Sequence, residues 1–95
     1  MPWRTQNGYP LSPASVQAHA PVKEGVYGIR SGKTWVYLGQ SEDLRRRLME
    51  HLQDLSHPMH RYPKLEFSYE TTPTAGDRLR QLLMEFRPVC NSVFD

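Results

Sequence analysis

The sequence predicts an α+β fold: a three-stranded antiparallel sheet flanked by helices, in the order β-β-α-β-α. Three observations carry this reading. Two short runs rich in Val, Ile, Tyr and Trp lie on either side of Ser31-Gly32-Lys33 and read as a hairpin. Apolar residues recur at helical spacing twice, at Leu44, Leu48, Leu52 and Leu55 and again at Leu79, Leu82, Leu83 and Phe86. Between those stretches, Leu65-Glu66-Phe67-Ser68-Tyr69-Glu70 alternates apolar and polar residues without a break, as a strand with one buried face does.

The elements follow in order. Four of the eight prolines fall in the first 21 residues, where Arg4 is the only charge, so 1–21 reads as an irregular N-terminal arm. A short helix fits inside it: Ser12 as cap, Pro13 in the first turn, and Ala14 to Ala18 before Pro21. Trp3, Tyr9, Leu11 and Val16 are too apolar for a bare linker and are expected to pack on the domain, which spans 22–95. There, 25–30 and 34–38 form the hairpin strands. Ser41 is the expected cap of a helix over 42–55, with Glu42 and Asp43 in its first turn, where the macrodipole favours acids. A loop from Ser56 to Pro63 leads to the strand at 65–70. The last helix covers 75–86 and stops at Arg87-Pro88.

Composition narrows the function. Ninety-five residues allow one small domain with a single core. With 38% hydrophobic and 11% aromatic residues the chain is not of a disordered class. No apolar run approaches the ~18 residues of a membrane span, and Met1-Pro2-Trp3-Arg4 opens no secretory signal. The single cysteine, Cys90, excludes an intrachain disulfide and a multi-cysteine zinc knuckle, and its spacing to the four histidines matches no metal pattern. These features point to the reducing cytoplasm. A net charge of +2 is too small to imply a nucleic-acid partner by itself.

Where polar and aromatic residues fall says more. Tyr27 lies on the first hairpin strand and Tyr37 ten residues on, on the second. Arg47 follows ten residues later on the first long helix, with His51 one turn beyond it, and Asn91 closes the domain after the second long helix. Gly25-Val26-Tyr27 and Tyr37-Leu38-Gly39, the helix stretch Ser41 to Leu48, and Arg87-Pro88-Val89-Cys90-Asn91 together resemble the GIY-YIG nuclease superfamily, over about residues 22 to 91. The resemblance implies that family's fold, which agrees with the element order read above, and a phosphodiester-cleaving site. It implies that Tyr27 is the base or its positioning partner and that Tyr37 orients water or phosphate. It further implies that Arg47 holds the scissile phosphate, that His51 sits beside the nucleophile, and that Asn91 binds the backbone or fixes the helix end. Lys33 in the hairpin turn, Gln40, Arg45 and Asn91 complete the expected nucleic-acid contacts. A guanidinium suits phosphate because it is always charged and binds two oxygens at once.

One position departs from the family pattern. The family places a metal-binding glutamate twelve residues before the closing asparagine, and that position here is Leu79. Asp77 and Glu85 lie about 160° and about 120° around the helix from it, at about 100° per residue, so neither takes its place. Glu70 at the end of the preceding strand is a distant substitute. Hard cations want carboxylate oxygens, so Mg2+ is expected only if the protein is active, with no metal ligand among the site residues.

Ordinary roles compete with these. The tyrosines suit any half-buried strand, arginine runs are usually solvated faces, Cys90 reads as a small core residue, and Leu79, central in its stripe, reads as buried. The favoured function is a nucleic-acid-binding domain of GIY-YIG type, with DNA the expected partner, whose site is incomplete and cleaves weakly or not at all. Two alternatives stand beside it: an active metal-dependent endonuclease with a relocated carboxylate, and a protein-interaction module whose N-terminal arm binds a partner.

Overall fold

A computed structural model describes residues 8–32 and 34–86. Its elements are β1 (Tyr9–Pro10), α1 (Pro13–His19), β2 (Gly25–Ser31), β3 (Thr34–Ser41), α2 (Leu44–Gln53), a 3-10 turn (Pro58–Arg61), β4 (Leu65–Thr71) and α3 (Ala75–Phe86). From β2 onward the order of strands and long helices is β-β-α-β-α.

The sheet is antiparallel with four strands, in the order β1-β4-β2-β3, and not the three expected. The extra strand comes from the arm: Tyr9 and Pro10 pair with Phe67 and Glu66 of β4. A proline is tolerated here because β1 is an edge strand among the described residues, where a missing N–H breaks no inner ladder. The described part of the arm shares the core of the domain. Ser12 accepts a hydrogen bond from the Ser15 N–H at the start of α1, and Val16 and Ala20 are fully buried. The carbonyls of Pro21 and Lys23 accept the N–H groups of Arg45 and Leu44, satisfying donors that the first turn of α2 leaves open.

α2 is shorter than predicted at both ends. Its cap is Asp43, whose carboxylate accepts the Arg46 N–H at 3.0 Å, and not Ser41. Ser41 instead accepts the Asp43 N–H and closes a turn ahead of the helix. At the other end Asp54 accepts from both the N–H and the hydroxyl of Ser56, which turns the chain out of the helix. Leu55, expected in the apolar stripe, is therefore exposed, and the buried face is Leu44, Leu48 and His51.

The sheet buries both faces. α1, α2 and the 3-10 turn cover one, over Tyr27, Ile29, Val36, Tyr37 and Phe67. α3 covers the other, over Val26 and Leu38. β3 carries a bulge. Tyr37 pairs with Ile29 while Trp35 pairs with Arg30, so Val36 is the extra residue. The bulge breaks the alternation. Trp35 goes to the α3 face, and Val36 and Tyr37 both go to the α2 face. Among the described residues, no helix is long and apolar enough to cross a membrane.

Candidate nucleic-acid site at the sheet edge

Tyr27 sits at the centre of β2, opposite Gly39 on β3 and Tyr69 on β4. Its ring lies flat across β3. A Cβ at position 39 would stand 2.5 Å from the Tyr27 hydroxyl oxygen and 2.6 Å from the carbon bearing it. The tyrosine can cross the neighbouring strand only because residue 39 has no side chain. That is a physical reason for the Tyr37-Leu38-Gly39 spacing. Gly25 is constrained in the same way, since a side chain there would run into the Glu70 carbonyl and the Leu44 side chain.

Across Gly39 the Tyr27 hydroxyl meets α2, sharing a hydrogen bond of 2.6 Å with His51 Nε2 in a buried setting. Tyr37 stands beside both, its ring 6.1 Å from that of Tyr27 and edge-on to His51 at 5.3 Å. Burial is the main cause that pushes His51 down to about 3, with the Arg47 cation, His57 and His60 adding to it. Burial, then the neighbouring Tyr37, raises the Tyr27 hydroxyl above the usual phenol range, against the opposing pull of Arg47. Both partners are thus neutral at neutral pH. The bond between them is a neutral one whose donor is decided by the tautomer of His51, and moving the proton from phenol to imidazole would create a charge pair that the same burial opposes.

Arg47 approaches from the next turn of α2. Its Nη1 donates to Glu50 Oε1 at 3.1 Å, and its charge acts on the Tyr27 hydroxyl. Arg47, Tyr27, Tyr37, Leu38, Gly39 and Gln40 line a cleft of about 260 Å³ whose remaining wall is Leu79 of α3. The prediction of a buried Leu79 needs correction: the residue is half-buried, packed against the α3-side core below and facing the cleft above. It lies at the rim of the stripe because α3 packs chiefly over β3, the edge strand among the described residues, so one flank of the helix faces the cleft.

Among the described residues, no carboxylate lines this cleft. Arg78 Nε shares its one N–H between the two Glu70 oxygens, at 2.9 and 3.1 Å, Asp77 pairs with Arg80, and Glu50 pairs with Arg47. Among the described residues, no group of three or more His, Cys, Asp or Glu is placed to hold a metal. The donor set of the cleft is phenol, amide and guanidinium, and does not fit a divalent cation.

The predicted site residues separate into groups. Tyr27, Tyr37, Gln40 and Arg47 come together in the cleft, with His51 directly behind Tyr27. Arg45 stands apart: its Nε donates to the Ala20 carbonyl at 2.9 Å and ties α2 to the arm. Lys33 and Asn91, like the Pro-x-x-Asn segment, lie outside the described residues. Two contributors escaped sequence reasoning. His57, read as a loop residue, stands edge-on to both Tyr37 and His51, at 5.1 and 5.5 Å. Glu50 has no role in the sequence reading. No periodicity links position 57 to position 37, whereas the Arg47/Glu50 spacing is a visible helical pair.

Strand order, helix placement and the tyrosine-lined cleft together give this chain the fold of GIY-YIG endonuclease domains. No family model and no curated protein matches the sequence. The structure is similar to the GIY-YIG N-terminal endonuclease domain of UvrC from Thermotoga maritima bound to its catalytic magnesium, with 23% identity and a TM-score of 0.63, over 80% of this chain and 94% of that one. A tyrosine-to-phenylalanine mutant of the same domain, bound to its catalytic divalent cation, gives 23% and 0.63 over 80% and 93%. An asparagine-to-alanine mutant gives 22% and 0.60 over 77% and 90%. At such identities the likeness is one of fold, and at that level the resemblance read from the motifs holds.

Proposed function

We propose that this chain is a nucleic-acid-binding domain of GIY-YIG type that keeps the phosphate-gripping half of the site and cleaves phosphodiesters weakly or not at all. The observation that carries this is Leu79, which lines the cleft with Tyr27, Tyr37 and Arg47 where the resemblance puts a metal-binding glutamate. The similar UvrC domains hold a catalytic divalent cation. Here the described residues of the cleft offer no anionic ligand for one. Arg47 takes two phosphate oxygens, Gln40 at the exposed mouth offers an amide to sugar or base, and the tyrosine hydroxyls orient the phosphate or a water. His51 holds the Tyr27 hydroxyl in place. Without a cation the charge developing on the phosphate is met, among the described lining residues, by the one cation Arg47, which leaves a large usual stabilisation missing.

The test is fluorescence anisotropy with labelled duplex and branched DNA, in EDTA and in magnesium. Binding should weaken linearly in log-log form with added salt and be the same in both conditions. Arg47→Ala should weaken it by about tenfold and more than Arg46→Ala does, because Arg46 projects into solvent and Arg47 into the cleft. Magnesium-dependent nicking by the natural chain would favour the active endonuclease, with Glu70 the first residue to replace. Absence of salt-sensitive binding would favour a protein-interaction module docking through the arm. Leu79→Glu should create magnesium affinity, read calorimetrically, if the variant folds. Its half-buried wall position opposes this by raising the carboxyl pKa until a cation arrives. A folded, magnesium-binding variant that still nicks nothing would show that more than one carboxylate separates this chain from a nuclease.

A further inference from the structure

α2 carries three consecutive arginines, and each is already engaged. Arg45 is bound to the Ala20 carbonyl. The other two meet one carboxylate: Glu50 Oε1 takes Arg47 Nη1 at 3.1 Å, and Glu50 Oε2 lies 4.0 Å from Arg46 Nε. Arg47 therefore stands between two neighbours, with Glu50 along the helix and the Tyr27 hydroxyl on the cleft side. Glu50 itself does not line the cleft. An anion entering the cleft and the Glu50 carboxylate seek the same guanidinium from opposite sides.

We propose that Glu50 is a built-in competitor for the phosphate site, holding Arg47 along α2 in the free protein and yielding it to a nucleic-acid phosphate. This rests on the reading of Arg47 as the phosphate grip. The exchange is one anion for another on the same cation, so it creates no buried unpaired charge. Arg47 and Glu50 side chains are 42% and 50% exposed, so water takes up whatever the exchange releases. The second oxygen of Glu50 already faces Arg46, so letting go of Arg47 does not leave the carboxylate without a cation. The competition also sets a threshold. A ligand offering a single weak acceptor does not displace the carboxylate, whereas a phosphate presenting two oxygens does.

Exposed pairs of this kind are worth a factor of about 1.5 to 5 in an equilibrium. Glu50→Gln keeps the size and helix preference of the residue and removes its charge. It should tighten binding of a labelled DNA duplex by about threefold at moderate salt. Glu42→Gln makes the same change in net charge just ahead of α2, at a residue outside the Arg46/Arg47 pairings, and should give less than half that gain. In an Arg47→Ala background the Glu50→Gln gain should shrink to that of Glu42→Gln. Equal gains in both backgrounds, or equal gains from Glu50→Gln and Glu42→Gln, would reduce Glu50 to a diffuse charge and overturn the proposal. If Arg47→Ala weakens binding while Glu50→Gln leaves it unchanged, only the competitor role fails. If Arg47→Ala has no effect, the phosphate-grip reading falls and the competitor with it.

Discussion

The two faces of this sheet solve burial in different ways. Under α1 and α2 the rings of Tyr27, Tyr37 and His51 are buried, and the Tyr27 hydroxyl and His51 satisfy each other. Under α3 the buried residues are Val26, Leu38, Ala75 and Leu82, which need area and no partner. A buried polar ring costs free energy unless it is hydrogen-bonded, so the first face is specified by direction and the second by volume. The cleft opens where the two faces meet at the β3 edge. The α2 side brings a tyrosine pair and a cation to it, and the α3 side brings Leu79. The lesson is that the tyrosine pair with Arg47 and the wall formed by Leu79 belong to separately built layers, so the chemistry of one can change while the other stays as it is.

Breaking the aliphatic face should have the largest effect on stability and little on the site. Leu82→Ala should cost roughly 2–5 kcal/mol, read as a shift in the denaturation midpoint. His51 should meanwhile keep its depressed titration by NMR. Collapse of that titration in a folded Leu82→Ala protein would mean that the two faces are not independent.

Acid should strain the polar face alone. An ordinary histidine in the unfolded chain takes a proton near 6.5, whereas His51 in the fold resists protonation down to about 3. Between those values the unfolded state binds the extra proton, so stability is full above 6.5 and falls as the pH drops. The slope is roughly 1.4 kcal/mol per unit, or about 2–3 kcal/mol between pH 6.5 and 4.5. Chemical denaturation across that range should show the slope, and His51→Gln should remove this contribution. A natural-type slope in His51→Gln would place its source elsewhere.

Gly39→Ala should cost about 1–3 kcal/mol, because the added methyl must push the Tyr27 ring off β3. The same shift should loosen the bond to His51 and let its titration rise, a signature that simple overpacking would not leave. Leu79→Ala should cost about 1–2 kcal/mol, clearly less than Leu82→Ala, since Leu79 is half-buried and its neighbour fully so. Smallest of all, Arg47→Ala should change stability by about 0.5 kcal/mol or less, because its pair with Glu50 is exposed to water.

Periodicity and turn chemistry made the α+β class, the hairpin, the 65–70 strand and the 75–86 helix legible, because each depends on neighbours within a few residues. The resemblance singled out Tyr27, Tyr37, Arg47 and His51, and the spacing of ten residues is what one strand, one turn and one helix entry require. Other features depend on contacts between residues far apart in sequence. Pairing of Tyr9 with Phe67 decides whether the sheet has three strands or four. The bulge at Val36 sends Tyr37 rather than Trp35 toward α2, against the simple alternation of the strand. Packing against the arm turns Arg45 from a candidate phosphate contact into a bond to Ala20. Leu79 shows the division most plainly. The sequence by itself determined that this helix position is apolar. Only the tertiary structure, by laying α3 over the edge strand β3, decided that the leucine lines the cleft with the tyrosines and Arg47 and does not disappear into the core.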